Sequence, residues 1–332
     1  CHPVPMALRI SRRALLATPL ATLFTTGVTT GLAGCVNDDW AAFPATDLSV
    51  ATGNPGGVFA RYGEALSTVL ERRLDGVTSR TRLTDASVEN LRMVHDGTCD
   101  LGFSLGDTAS DAVRGTGDFP VPLDVVALAR TYDSFVHLVV RADSSITEPR
   151  DLRGRRVGLG AGGSGTRVVA ERVLELGGVD QRDIEVRTDP LEDSADALVT
   201  GDLDAFFFVS GLPNQAVAEL SRRIPVRLLT LRDMVPLLVE EFGPEYVDGP
   251  IPASTYRLPS AVDTVSVKNY VVVARSMPAD LGYAVTRVMF EAQAAVDRLA
   301  PGVRQPTLGA AVFTSPLDLH PGALRYYREQ RA

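Results

Sequence analysis

Short apolar runs alternate with amphipathic segments along most of the chain, and this alternation predicts its elements. The spacing of apolar residues in Val58–Arg73 is typical of a helix that buries one face. Leu48–Ala51 and Thr78–Leu83, on either side, have the length and composition of strands. A strand, a helix and a second strand in this order indicate a parallel sheet with right-handed crossovers. The same pattern predicts a helix at Val88–His95 and strands at Leu101–Ser104 and Val125–Ala129.

The second half of the chain repeats this architecture without obvious sequence identity to the first half. Arg155–Leu159 predicts a strand, and a glycine-rich turn at Gly162–Thr166 leads into a helix at Arg167–Leu176. We therefore predict an α/β protein of two lobes, each a mostly parallel sheet flanked by helices, with a ligand cleft between them. Other predicted elements are strands at Ile184–Arg187, Ala205–Val209 and Val265–Val273, and helices at Ala195–Thr200 and Ala279–Leu299.

The chain is expected to cross between the lobes twice, near His137–Arg141 and near Ser266–Val273. These crossings predict a first lobe of residues 47–137 plus 267–332 and a second lobe of residues 138–266. In open α/β sheets, ligands bind outside the carboxyl ends of the strands. The cleft is therefore expected at those strand ends.

The first 35 residues have the layout of a bacterial export signal, with a basic stretch before an uncharged run. Ser11–Leu16 resembles a twin-arginine signal, and general secretion is the alternative route. Leu32–Cys35 resembles a lipobox, which predicts lipid modification of Cys35, a tether over residues 36–46 and an extracytoplasmic, membrane-anchored protein. An uncleaved membrane span is the competing interpretation. The uncharged run is about long enough to span a membrane, although its threonine, glycine and alanine residues weaken insertion into the bilayer.

Composition and charge exclude several function classes. The chain has 332 residues, of which 45% are hydrophobic and 22% charged, so it can bury a sizeable core. A formal net charge of -8 argues against a nucleic-acid partner, because phosphate binding needs a concentrated basic face. Cys1, Cys35, Cys99 and the four histidines are scattered without metal-ligand spacing, so neither a metal nor a cofactor is expected.

Two glycine-rich turns are the strongest candidates for ligand contact. Thr52–Val58 and Gly162–Thr166 each join a predicted strand to a helix, where the helix N-terminus favours an anion. Each could also be a plain tight turn, but one turn on each lobe is the arrangement that a clamp needs. The first turn lacks the dinucleotide-binding spacing. The second lacks a nucleophile elbow because Thr166 stands in the place of glycine, so we do not expect an enzyme.

Two further segments lie at predicted helix starts. In Asp85–Asn90, Ser87 and Asn90 have the spacing of a helix cap, which explains the segment without a ligand. Val209–Pro213 ends a strand and turns into a helix with proline in its first turn. We expect this second segment to face the cleft.

Ten short motifs follow one another through nearly the whole mature chain. They are Ala51–Gly53, Gly56–Phe59, Ser87–Leu91, Cys99–Asp107, Gly154–Val157, Gly163–Thr166, Gly201–Phe207, Gly211–Pro213, Val265–Tyr270 and His320–Ala323. In this order and spacing they resemble the TAXI family, the solute receptors of tripartite ATP-independent periplasmic (TRAP) transporters.

The resemblance implies a type II periplasmic-binding-protein fold and transport driven by an ion gradient. It also implies a small acidic ligand, glutamate-like or a dicarboxylate, that is delivered to a TRAP membrane permease by a monomeric receptor. The ligand contacts predicted by position are Gly53, Asn54, Gly57, Val58, Phe59, Ser87, Asn90, Asp107, Gly163, Ser164, Gly165, Thr166, Phe208 and Gly211.

Two residues depart from the family pattern. Leu105 stands where TAXI receptors commonly carry glutamine, and Asn54 replaces a usual glycine. Both changes alter the expected ligand contacts. A binding protein for an ABC transporter or for a sensor kinase is the alternative, because the same clamp serves those partners.

Overall fold

Strands and helices alternate through residues 42–331, the part of the chain that the computed structural model describes. The strands are β1 (Ala42–Ala51), β2 (Asp75–Arg82), β3 (Leu101–Leu105), β4 (Val125–Arg141), β5 (Arg156–Gly158), β6 (Glu185–Arg187), β7 (Ala205–Ser210), β8 (Val226–Leu228), β9 (Tyr246–Ile251) and β10 (Val262–Ala274). The helices are α1 (Val58–Arg73), α2 (Ser87–His95), α3 (Gly106–Arg114), α4 (Gly165–Leu176), α5 (Leu191–Thr200), α6 (Gln215–Arg223), α7 (Met234–Phe242), α8 (Ala253–Tyr256), α9 (Ala279–Glu291), α10 (Gln293–Leu299), α11 (Leu308–Ala311) and α12 (Pro321–Glu329). Two short 3₁₀ helices occupy Pro149–Leu152 and Gln181–Asp183.

Helix α1 has the bounds that its hydrophobic pattern predicts. Its buried residues include Tyr62, Leu66, Val69 and Leu70, which recur three or four positions apart and so lie on one face. Arg72 and Arg73 occupy the last turn, where positive charge is favourable at the helix C-terminus.

Within the described range, ten strands form one sheet in the order β2-β1-β3-β10-β4-β7-β5-β6, with β8 paired to β4 and β9 to β10. Strands β1, β2 and β3 pair in parallel at one side, as do β5, β6 and β7 at the other. We call these groups, with the helices that follow their strands, the first flank (β1–β3, α1–α3) and the second flank (β5–β7, α4–α6). The expected parallel pairing is found in the flanks, whereas the centre of the sheet is antiparallel.

Two long strands connect the flanks. β4 has 17 residues and β10 has 13, and they pair antiparallel over most of their length. β4 continues well beyond the predicted strand Val125–Ala129, and both predicted crossing segments lie inside these strands. The chain therefore passes from one flank to the other as continuous sheet.

Separate groups of buried side chains pack on the two flanks. One contains Leu66 of α1 and Phe103 of β3, and the other contains Val157 of β5 and Val169 of α4. Phe59 packs against both groups. It therefore lies where the two cores meet.

Besides β4, several elements differ from those that the hydrophobic pattern predicts, and β8, β9 and α7 are additional elements. α3 is an additional helix, and the predicted helix Ala279–Leu299 is divided at Ala292 into α9 and α10. β1 begins at Ala42, so the last five residues of the predicted tether belong to a strand. The export signal, Cys35 and the rest of the tether up to residue 41 lie outside the described residues.

Candidate ligand-binding site

The two glycine-rich turns face each other across one cavity of about 40 Å³. The first turn connects β1 to α1, and the second connects β5 to α4, so each flank contributes one wall. The predicted binding residues that line the cavity are Gly53, Asn54, Gly57, Val58, Phe59, Ser87, Ser164, Gly165, Thr166, Phe208 and Gly211. The sequence-based prediction thus identified most of this wall.

The two flanks approach each other very closely at Gly165. A Cβ atom at this position would lie 2.6 Å from Leu105 Cδ1 and 2.6 Å from Ser87 Oγ, both on the first flank. Such distances are far below van der Waals contact, so only glycine fits this arrangement of the flanks. At Gly211 a Cβ atom would similarly meet the Tyr132 ring at 2.9 Å.

Gly163 lies beside the cavity lining and joins the flanks through its backbone. Its carbonyl oxygen accepts hydrogen bonds from the N–H groups of Val88 (3.0 Å) and Glu89 (3.2 Å) in the first turn of α2. Its own N–H donates to Asp85 Oδ2 at 3.2 Å. We call Gly163, Asp85, Val88 and Glu89 the clasp. The clasp places the carbonyl group of Gly163 at the N-terminus of α2. There it accepts hydrogen bonds from N–H groups that have no acceptor within the helix.

Two hydroxyl groups, one on each flank, are arranged as donors. Ser87 Oγ accepts the N–H of Leu105 at 3.0 Å, and Thr166 Oγ1 accepts the N–H of Val209 at 3.1 Å. A hydroxyl group has two lone pairs and one proton. Because the protein occupies an acceptor position of each oxygen, each hydroxyl retains its proton for donation. Both residues line the cavity.

Helix ends add further donors to both walls. α1 begins directly after Gly57, and α4 begins directly after Ser164, whose Oγ accepts the Arg167 N–H at 3.1 Å. First-turn N–H groups have no acceptor within their own helix, and they carry the positive end of the helix dipole. Among the described residues that line the cavity, none has a charged side chain. The cavity therefore suits a group rich in acceptors, such as a carboxylate, bound by neutral donors.

Asn90 is buried beneath the cavity wall rather than exposed in it. Its Nδ2 donates to the carbonyl oxygens of Thr52 (2.7 Å) and Phe103 (2.8 Å), and its Oδ1 accepts from Thr84 Oγ1 at 2.6 Å. These bonds tie the ends of β1 and β3 to the segment before α2. Asn90 thus positions the first turn and Ser87.

Asp107 also lies outside the cavity lining. Its Oδ2 accepts from Tyr246 OH at 2.7 Å and from Arg172 Nη1 at 3.2 Å, and Arg172 Nη2 also donates to Asp111. We call Asp107, Asp111, Arg172 and Tyr246 the Arg172 cluster. Burial raises the pKa of Asp111, and the Arg172 guanidinium beside it opposes that rise. The cluster connects α3 on the first flank with α4 on the second.

The predicted set omits several residues of the wall. Tyr132 and Ser134 escaped prediction because β4 was expected to end at Ala129. Leu105 was noted only as a departure from the family pattern, and it lies in the wall with 2% of its surface exposed. The remaining lining residues outside the predicted set are Ala86, Val209 and Ser210.

Ala86 has an unusual backbone for a residue with a side chain. Its φ is 91°, in the region that favours glycine, and it precedes α2 in the cavity wall. Strained backbones of this kind cost about 1–3 kcal/mol and cluster at ligand sites.

Residues 42–331 contain neither a group of three or more acidic, histidine or cysteine side chains that could hold a metal ion nor a helix long and apolar enough to cross a membrane. Cys99 is a free thiol with 1% of its surface exposed, and burial raises its pKa.

A family model described as the NMT1-like family matches residues 50–330. The chain belongs to the NMT1-like family. The match includes both glycine-rich turns and all residues of the cavity wall in this NMT1-like protein. The narrower TAXI subtype stays a prediction.

Several solved structures resemble this NMT1-like protein in fold, and two of the three described below are named as binding proteins. The binding-protein component of an ABC phosphonate transporter from Pseudomonas aeruginosa is 12% identical, with a TM-score of 0.53 over 79% of this chain and 80% of that chain. A protein from Bordetella bronchiseptica RB50 is 14% identical, with a TM-score of 0.50 over 85% and 82%. The periplasmic aliphatic sulphonate-binding protein SsuA from Escherichia coli is 15% identical, with a TM-score of 0.43 over 86% and 84%. The likeness to the Pseudomonas aeruginosa structure confirms the expected α/β fold of solute-binding proteins, with a curled mixed sheet and flanking helices.

Proposed function

We propose that this NMT1-like protein is an extracytoplasmic solute-binding protein that captures a small acidic metabolite, glutamate-like or a dicarboxylate, and delivers it to a membrane permease. One observation carries the proposal: a single cavity receives neutral hydrogen-bond donors from both flanks. An acid bound there would contact both turns at once. The family and the fold fit a binding protein rather than an enzyme.

Ligand binding would stabilise the closed arrangement of two lobes, residues 47–137 plus 267–332 and residues 138–266. The clasp and the approach at Gly165 exist only when the flanks lie together. A ligand that touches both walls binds this arrangement better than a separated one, and that difference in affinity shifts the equilibrium. The two long strands between the flanks would act as the hinge.

A screen of small acids by thermal unfolding tests the proposal directly. The sample is the soluble monomer that begins at Val36, and the panel contains amino acids, dicarboxylates and neutral amides of matching size. A ligand at 100 times its dissociation constant adds about 2.7 kcal/mol to the free energy of unfolding. Stabilisation by acids but not by the amides supports the proposal. A panel of acids that leaves the melting temperature unchanged refutes it.

The TAXI resemblance supports a TRAP permease as the partner, with uptake driven by an ion gradient. An ABC transporter is the second candidate, because the similar structure from Pseudomonas aeruginosa is a component of one. The neighbouring genes separate the two: a multi-span permease favours TRAP, and an ATPase favours ABC. Uptake by a reconstituted system is expected to persist without ATP and to stop when the ion gradient is dissipated.

Anchoring at Cys35 and export by the twin-arginine route complete the proposal. Acyl chains contribute about 0.8 kcal/mol per buried CH₂ group, so a multiply acylated Cys35 would keep the protein at the membrane. Cys35→Ala is expected to release the protein from the membrane fraction. Retention of that variant in membranes would indicate an uncleaved span instead.

A further inference from the structure

A second, larger cavity adjoins the ligand site. The inner cavity of about 40 Å³ and an outer cavity of about 400 Å³ share Val58, Tyr132 and Gly211 as wall residues. Like the inner cavity, the outer one takes its wall from both sides of the cleft, with Gly302–Arg304 on one side and Leu212–Pro213 on the other. The two spaces therefore lie side by side, with Val58, Tyr132 and Gly211 at their junction.

Because the two cavities differ in size, they suit different parts of a ligand. A single water needs at least about 10–15 Å³ by this measure, so the inner cavity has room for roughly three. That space suits a carboxylate and few further atoms. The outer cavity is about ten times larger by the same measure. The body of any acid bound in the inner cavity would extend into it.

The outer wall is mainly apolar. Two charged side chains are found among the described residues of this wall, and they have opposite signs. Asp133 accepts from Arg130 at 2.7 Å, which satisfies much of its charge, and Arg304 is exposed to solvent. A second charge on the ligand would gain little from them, because exposed ion pairs contribute at most about 1 kcal/mol. The apolar residues of the wall are Phe135, Leu212, Pro213, Pro250, Pro252 and Val303.

We propose that the ligand is an organic acid with an extended, mainly apolar body, whose carboxylate occupies the inner cavity and whose body occupies the outer cavity. This inference rests on the proposed capture of an acidic solute, and it replaces the compact glutamate-like acids and dicarboxylates proposed above with elongated amphipathic ones. Burial of apolar surface in the outer cavity supplies affinity, and the donor-lined inner cavity selects the acid.

Calorimetric titration with straight-chain monocarboxylates of increasing length tests this inference, with succinate and glutamate measured alongside. Affinity is expected to rise about two- to fourfold with each added methylene until the outer cavity is filled. An affinity that stays flat along the series, or that is highest for succinate or glutamate, overturns the extended-ligand inference and leaves the proposed function intact. If none of these acids binds, both proposals fail.

Wall variants test where the body of the acid lies. Ser254 is an exposed residue of the outer wall, so Ser254→Trp narrows the cavity without disturbing the core. It is expected to weaken binding of the longest acid at least tenfold more than binding of the shortest, and Leu212→Trp is expected to do the same. Leu299→Trp, at an exposed position outside both cavity walls, is the matched control. Equal effects of the Ser254 and Leu299 variants on both acids would refute the inference.

Discussion

His137 is a fully buried residue of β4, and its hydrogen bonds define its protonation. Nδ1–H donates to the carbonyl oxygens of Phe135 (2.8 Å) and Phe208 (3.2 Å). Nε2 accepts from Tyr256 OH at 2.9 Å, and that oxygen in turn accepts the Asn214 N–H at 2.9 Å. The ring is therefore neutral, and burial lowers its pKa from 6.5 to about 4.

This low pKa predicts a loss of stability in acid. Between pH 6.5 and about 4 the unfolded chain binds a proton at His137 that the folded protein does not. The stabilisation is complete above pH 6.5 and is lost as the pH falls toward 4, by about 3 kcal/mol in total. Urea unfolding at pH 7 and pH 4.5 should show a smaller difference for His137→Gln than for the parent. An unchanged difference would mean that other groups cause the acid sensitivity.

Gly165 provides the sharpest test of closure at a single residue. Gly165→Ala is expected to reduce ligand affinity at least tenfold, because its Cβ would collide with Leu105 and Ser87 in the closed arrangement. Gly165→Asp should weaken binding further by adding a negative charge beside the carboxylate. The fold should persist, since alanine is favoured over glycine in a helix by about 1 kcal/mol.

Gly162→Ala is the matched control for this experiment. A Cβ atom at Gly162 would have only Arg167 Nη1 near it, at 3.9 Å. The ligand affinity of Gly162→Ala should equal that of the parent protein in the same titration. If Gly165→Ala also binds like the parent, the close approach of the flanks is unimportant for binding.

The glycine-rich turns and the family resemblance together indicated most of the cavity wall, but neither indicated the direction of each side chain. Asn90 and Asp107 belong to motifs that reach the site, yet both side chains find buried partners elsewhere. Those partners, such as Phe103 and Tyr246, are 13 and 139 positions away. Contacts over such separations depend on the assembled fold, which a local pattern does not contain.

At the scale of elements, the pattern succeeded where one apolar face is buried and failed where it is not. α1 has a regular apolar stripe and was predicted at its full length. α3 was missed because its buried residues are small or polar, among them Gly106, Asp107 and Thr108. In β4 the polar stretch Arg130–Ser134 interrupts the apolar run, but pairing with β10 continues the strand through it.

The buried ion pairs of the Arg172 cluster are expected to hold α3 and α4 together strongly. Arg172→Met would leave Asp107 and Asp111 buried without their cation, which costs about 3–5 kcal/mol of stability. Arg182→Met is the control, since the pair of Arg182 with Asp180 is exposed to solvent, which screens its charges. Urea denaturation of the three proteins measures the difference. Equal losses in both variants would contradict a structural role for the cluster.

At the scale of the whole molecule, two continuous strands join the flanks, and one sheet contains both. The two flanks could separate into two sheets only if the pairing of β4 with β10 were broken. Rotation about these strands can therefore move the turns apart while the sheet stays intact. The predicted crossing segments lie within β4 and β10. The sequence did not indicate that they are uninterrupted sheet, because pairing partners lie more than a hundred residues apart.

The clasp gives this molecule a built-in reporter of its own motion. The amide hydrogens of Val88 and Glu89 are protected by a carbonyl group that belongs to the opposite flank. Each separation of the flanks exposes them to solvent, so their exchange with deuterium counts opening events without any attached label. A bound acid should slow that exchange at these two amides, while the amides in the interior of α2, which bond within their own helix, keep their rate.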